Sequence, residues 1–412
     1  MTRFWAVAVW ACVALDAAAE VPSFHKDISP ILQRHCGGCH QAGGIAPMAF
    51  RDYATARPWA KAIRDAVKRK KMPPWFRESG TLEFSNDPSL SAEETTAIAA
   101  WADGGAPEGE VPSVIPSKPS QGKLSGDLVI EVARGFTVRP DATVPYQYVV
   151  LSAGQTADRW VQEVEIRPGA PEVVHHVVAY VREPNDVWLR DAPRGVPHVP
   201  AVRDRVTKSD ILAVYTPGSR RLRFPDGMAK KLPAGAEIVL QFHYTSGRVL
   251  VEDRTRIALT FAKEAPLKRI LTLQMGKDRL EIPPYERDHR VSVSGTLPND
   301  ALLLSLMPHM HLRGSAFEFE IVGERGRVEP LLRVKPFDFH WQLTYWLKSP
   351  RPLPKGTRLR WTGHFDNSAN NLRNPNPAMT VGWGEQSWEE MMIGFFDVAV
   401  DPALDKAAFF IR

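Results

Sequence analysis

The sequence predicts a multidomain chain, a small all-α domain followed by two all-β sandwiches, and three observations carry that expectation. At 412 residues, with 44% hydrophobic and 24% charged residues, the composition is that of a globular protein too long for a single core. Helical periodicity with helix caps is confined to the segment 20–109. After Asp127, short alternating stretches punctuated by Pro and Gly follow one another without a long amphipathic helix, a spacing that favours antiparallel sandwiches or barrels over alternating β-α units. A Pro- and Ser-rich stretch at 110–124 separates the two regimes and reads as a linker.

The first residues set the expected compartment. Met1-Thr2-Arg3 is a short positive region, Phe4 to Leu15 is an apolar run too short to span a bilayer, and Ala17-Ala18-Ala19 supplies small residues for cleavage. Residues 1–19 therefore read as a signal peptide, and the mature chain is expected to be periplasmic or secreted. Cys12 leaves with that peptide, so the mature chain keeps Cys36 and Cys39 alone. Two cysteines so close in sequence staple no distant strands, and no later apolar run is long enough for a membrane span. The charge balance, 52 Lys and Arg against 47 Asp and Glu, gives +5 spread along the chain, which excludes a basic patch of the nucleic-acid-binding kind.

Within 20–109, a helix is predicted from Pro30 to Cys36. A second carries Trp59, Ile63, Ala66 and Val67 on one face, and a third starts at the capping box of Ser91 and Glu94, carries Ile98, Trp101 and Ala102 inward, and ends at Gly104-Gly105. Strands are predicted at 127–133, 160–166, 173–181, 238–244, 257–261, 290–294, 302–307, 317–322, 358–365 and 391–400. They divide into a first sandwich at 125–265 and a second at 266–412.

Cys36-Gly37-Gly38-Cys39-His40 has the spacing for one covalent haem c: two thiols add to the haem vinyl groups and the adjacent imidazole is delivered to the iron. Met48, Met72, His25 and His35 are candidates for the other axial position. Met72 is preferred because Pro73-Pro74 forbids helix continuation after it and stiffens a loop that can present one sulfur. Met48, in Ala46-Pro47-Met48, is the alternative. Together with Met72-Pro73-Pro74-Trp75 and the run from Trp101 to Pro107, the motif makes Phe24 to Pro107 resemble a small class I cytochrome c domain. That resemblance implies single-electron transfer without bond-breaking chemistry.

Twelve His against three Cys direct attention to metal binding beyond the linker. Residues two apart in a strand share a face, so His309 and His311 can grip one ion, with Met391 adding a thioether; two imidazoles and a thioether suit Cu(I) better than Zn or Mg. His175, His176 and His243 can form a second, all-nitrogen site. Neighbours in a regular strand point to opposite faces, so His175 and His176 meet on one ion only if the backbone is twisted or bulged between them. Singly, each of these His reads as a surface or hydrogen-bonded core residue. Grouped, with a Met of the right chemistry, they read as two metal sites. His198, His289, His340 and His364 have no partner pattern and read as structural.

Val173 to Tyr180 with the paired His, Leu240 to Tyr244, Met307 to Gly314 and Glu389 to Met392 stand in the order found in the type II, ascorbate-dependent copper monooxygenases, the group of peptidylglycine α-hydroxylating monooxygenase and dopamine β-monooxygenase. Residues 125–400 resemble that family, mainly at these motifs. The resemblance implies two jelly-roll sandwiches, each with one copper, facing each other across a solvent-filled gap. It also implies an electron-transfer copper on His175, His176 and His243, and on His309, His311 and Met391 a copper that binds dioxygen and hydroxylates. This chain departs from the peptidylglycine enzymes at Met307, Ile393 and Phe395, where they use Arg, Asn and Tyr to hold a peptide, so an apolar small-molecule substrate replaces the amidated peptide. The expectation is an exported copper monooxygenase that takes electrons from an external donor through its fused haem. The alternative is a non-catalytic haem and copper electron carrier or copper-handling protein.

Overall fold

The computed structural model describes residues 20–78, 80–111, 123–141, 144–200, 210–219, 221–245, 249–404, 406 and 409. The expected signal peptide at 1–19 and most of the expected linker lie outside them. The molecule is mostly β-sandwich with few helices, and among the described residues every α-helix lies before residue 104. Among the described residues, no helix is long and apolar enough to cross a membrane.

The helices are Ser29–His35, Tyr53–Ala56, Ala60–Lys68 and Ala92–Asp103, preceded by a wider turn at Phe24–Ile28. Ala92–Asp103 starts as its sequence dictates: the Ser91 hydroxyl accepts from the Glu94 amide while the Glu94 carboxylate accepts from the Ser91 amide. These helices bury Phe24, Ile28, Leu32, Ile63, Val67, Ile98 and Trp101 in one small core. Its ends are tied by Phe24 N–H donating to Pro107 and the Trp101 indole donating to the same carbonyl.

An all-α unit over 20–109 is only part of what is found. Over 75–78 and 82–87 the chain leaves the helices and seals the second sandwich. The Glu78, Leu82 and Ser85 amides donate to the carbonyls of Arg333, Leu331 and Trp346, and Lys335 and Lys348 donate back to Phe76 and Glu83. Trp75, Phe76, Leu82 and Phe84 pack on the second sandwich's core, with the Trp75 ring tilted against Tyr345 at 4.5 Å between centroids. Pro73-Pro74 cannot continue a helix, and the apolar residues that follow find their cover in another unit.

One long sheet runs through both sandwiches in the order Leu128–Glu131, Arg256–Phe261, Arg159–Arg167, Met228–Leu232, Lys268–Gly276, Ile393–Val400, Ala301–His309, Tyr345–Leu353. Every neighbour is antiparallel except the pair Met228–Leu232 and Lys268–Gly276, where the halves join in parallel. The first half packs on Gln147–Ser152, Glu237–Tyr244, Val174–Arg182 and Asp210–Tyr215, burying Val161, Val164, Leu259, Val177, Leu240 and Phe242. The second packs on His289–Thr296, Arg358–Phe365, Gly314–Val322 and Val328–Val334, around Phe317, Phe319, Trp361 and Phe396. At the joint the buried Lys230 ammonium donates to Asp397, Thr272 and the Ile211 carbonyl, and Ser305 donates to the other Asp397 oxygen, so the buried charges are paired and hydrogen-bonded.

Candidate metal centres

In Val174–Arg182, Val177, Ala179 and Val181 point into the first core, so His176, Val178 and Tyr180 point out of it. In Glu237–Tyr244, Leu240, Phe242 and Tyr244 point in, which turns Val239, Gln241 and His243 out. His176 and His243 are cross-strand partners on that outer face. Between Val174 and His176 the register slips, leaving His175 in a bulge that lets it join the other two. Ring centroids stand 5.3 Å (His175 to His176), 4.8 Å (His175 to His243) and 5.0 Å (His176 to His243) apart, and one nitrogen of each ring lies within 4.8 Å of the others.

The electrostatics suit a cation. His175 Nδ1 and His176 Nδ1 are 3.1 Å apart, while His175 Nε2 and His243 Nδ1 are buried without a hydrogen-bond partner. Burial, with repulsion from neighbouring imidazoles, lowers His175 to about 4 and His243 to about 3, and holds His176 well below the usual imidazole range. Neutral imidazoles with free ring nitrogens crowded together present lone pairs to a metal ion.

His309 ends the strand Ala301–His309, and His311 follows on the same face, the two rings 5.2 Å apart and perpendicular. His309 Nδ1 bonds the Gln342 side-chain oxygen and His311 Nδ1 bonds the Glu389 carbonyl at 3.1 Å. Both acceptors fix the proton on Nδ1 and leave Nε2 as the ligand atom, the arrangement that orients metal-bound histidines. Burial lowers His309 to about 4 and His311 to about 3. Glu390 is fully buried and accepts from the His311 amide at 2.8 Å and the Arg313 amide at 2.6 Å, pinning the turn after the pair. Burial pushes its carboxyl up to about 8 against those donors.

Met391 is half-buried. His309 pairs with Ile393, where the ladder ends. Met310 and Met392 are both fully buried in the core and meet over Gly363, and Met391 lies between Met392 and the buried Glu390 in sequence. Met307 pairs with Phe395, and the Phe395 ring lies 6.3 Å from His309. Met307, Ile393 and Phe395 thus form an apolar lining beside His309.

Sequence reasoning missed the segment Phe339–Gln342, which serves both groups. The buried Phe339 ring lies 5.6 Å from His175, 5.7 Å from His243 and 6.0 Å from His311. His340, read as structural for want of a partner, stands 5.7 Å from His175, and Gln342 anchors His309. The Phe339 ring thus stands beside both groups of histidines. Tyr146, also unflagged by its sequence, lies tilted against His243 with ring centroids 5.0 Å apart.

In the helical unit, the Cys39 and His40 amides donate to the Cys36 carbonyl, so Cys36, Cys39 and His40 continue the helix Ser29–His35 as one turn and share a side. Both cysteines are free and partly exposed, and burial pushes the Cys36 thiol up to about 12 and raises Cys39, the reverse of an activated redox dithiol. His40 Nδ1 bonds the Met48 carbonyl at 3.0 Å, leaving Nε2 for a metal. Two thiols and an oriented imidazole on one turn fit a covalent haem. His35 uses Nδ1 on Pro88 and Nε2 on Glu94, so it has no ring nitrogen left for the second axial position, and His25 Nε2 bonds Glu108. Met48 lies on the His40 side through its carbonyl; Met72 is half-buried. Among the other histidines, His364 bonds Asp288 and the His198 backbone pairs with Tyr148.

No protein-family profile and no curated protein matches the chain. Among solved structures, it is similar to the major capsid protein P2 of bacteriophage PM2 (10% identity, 67% of this chain and 99% of that one, TM-score 0.27). It is also similar to the VP2 subviral particle of infectious bursal disease virus (8%, 69% and 74%, TM-score 0.20) and to PNGF-II (10%, 66% and 60%, TM-score 0.22). Scores this low establish neither a shared fold nor a shared function.

Proposed function

We propose that this chain is an exported copper-dependent monooxygenase that hydroxylates a C–H bond of an apolar small molecule, with electrons relayed from a fused c-type haem. The observation that carries the reading is the gathering of five histidines into two neighbouring groups, with ring nitrogens left unpartnered in the first group and Nδ1 anchored by acceptors in the second. His175, His176 and His243 would hold the electron-transfer copper; His309, His311 and Met391 would hold the oxygen-binding copper, where a thioether favours Cu(I). Cys36 and Cys39 would attach the haem, with His40 and Met72 as axial ligands, in a unit of class I cytochrome c type. Two copper ions and one haem, supplied with dioxygen, two external electrons and two protons from solvent, would support hydroxylation in which one oxygen atom enters the substrate and the other leaves as water.

The chain's own residues then have distinct tasks. Gln342 and the Glu389 carbonyl keep the Nδ1 protons in place and aim the two Nε2 atoms. Glu390 holds the turn that joins His311 to the Met391 segment. Met307, Ile393 and Phe395 offer an apolar surface beside His309 that selects a hydrocarbon-like substrate and offers no carboxylate clamp. Phe339 excludes water from the space adjoining both groups. Metal analysis of the mature, haem-loaded protein, with oxygen uptake screened over apolar substrates, tests the reading. Reductant- and substrate-dependent uptake at two copper ions per chain supports it; copper and haem bound without such uptake would instead indicate an electron carrier.

A further inference from the structure

The turn Thr216–Ser219 touches the haem-binding motif. A Cβ built on Gly218 would stand 2.9 Å from Cys39 Sγ, and one built on Gly38 would stand 3.4 Å from Gly218 Cα, so backbone meets backbone and sulfur with no side chain between. Gly218 holds φ +86, a conformation that side-chain-bearing residues rarely adopt, and the turn is closed by Ser219 N–H donating to Thr216 and Thr216 N–H donating to the Ser219 hydroxyl. The turn continues the strand Asp210–Tyr215 without a break. Tyr215 is buried and is the cross-strand partner of Val177, the residue after His176.

Resting on the function proposed above, we propose that this turn is the docking contact through which the haem-binding loop passes electrons to the first histidine group. The path runs from the Cys39 sulfur across Gly218, along the strand to Tyr215, and over the ladder to Val177 and His176. With both groups bound, one electron would leave the ferrous haem, making it ferric, and a copper(II) ion held by His175, His176 and His243 would take it and become copper(I). No proton moves and no bond breaks; the haem is refilled by an external one-electron donor such as a small reduced cytochrome. Glycine at 218 is the specificity element, since any side chain there wedges the sulfur away.

Gly218→Asn tests this, because Asn tolerates positive φ while adding bulk. Gly326→Asn, at φ +79 with open space around it, is the control, and Gly38→Val wedges the same contact from the loop side should Gly218→Asn fold poorly. Each holoprotein is read by pulsed EPR for the iron-to-copper separation, and by flash photoreduction of the haem for the phase in which it loses its electron to copper. The proposal expects a longer separation and a slower phase in Gly218→Asn and Gly38→Val, with unchanged haem spectrum and copper content, and wild-type behaviour in Gly326→Asn. A longer separation with an unchanged phase overturns the route and leaves the monooxygenase reading standing. Absence of any haem-to-copper phase in wild type with both metals bound overturns the reading itself, and the route with it.

Discussion

His176 stands directly across the ladder from His243, and the register slip just before it brings His175 to the same side. Three imidazoles meet because a bulge spoils the alternation that would have sent two neighbours apart. The bulge also turns the rings of the first group toward one another, with His175 Nε2 and His243 Nδ1 buried between them.

Wild type should bind two copper ions, and His243→Ala and His309→Ala should each retain about one, since a three-ligand site seldom survives the loss of one ligand. Copper titration followed by metal analysis checks this. Loss of both ions from either substitution would mean that the groups share a single site.

Much of this arrangement can be read in the sequence, and what cannot has a physical cause. The period-two patterns around His176, His243, His309 and His311 fix which way each ring points, because burying alternate Val, Leu and Phe leaves the histidines one face only. The requirement for a bulge at His175 is also legible, but its existence depends on register with a strand some sixty-eight positions away. Phe339, His340 and Gln342 carry no period and act through tertiary placement, so nothing local marks them. Likewise the stretches 75–78 and 82–87 follow helical sequence and are sealed to another unit by partners found only in the folded chain.

Gln342→Leu removes the acceptor from His309 Nδ1 without touching a ligand. Copper affinity at the second group should fall roughly 10- to 100-fold, the usual cost of losing such a partner, while the first group keeps its ion. Competition with a chelator measures this; equal weakening of both ions would show general damage instead.

Met72→Ala should remove the axial sulfur and lower the haem potential, whereas Met48→Ala should leave the ligation intact, because Met48 serves His40 through its backbone carbonyl. Potentiometry and the visible spectrum distinguish the two. The reverse pattern would move the axial ligand to Met48.

Four imidazoles, His175 and His311 buried and His243 and His309 half-buried, lie at about 4 (His175, His309) and about 3 (His243, His311) in the folded chain, below their ordinary 6.5. The unfolded chain therefore binds more protons as pH falls below 6.5, so the metal-free protein is fully stable above that value and loses stability on descent towards pH 4. Its melting temperature should drop between pH 7 and pH 5, and bound copper should be released over the same interval as protons compete for the ring nitrogens. A flat profile in that window would show the imidazoles are not held neutral.

Rapid mixing of fully reduced protein with dioxygen reaches the central claim most directly. Wild type should show fast haem oxidation. His243→Ala should show a slow or absent phase, because its electrons cannot leave through the first group. Met391→Ala should still pass electrons from haem to the first copper while hydroxylation is lost. If haem oxidation proceeds at the wild-type rate in both variants, the histidine groups lie off the electron path and the chain is not a haem-fed copper monooxygenase.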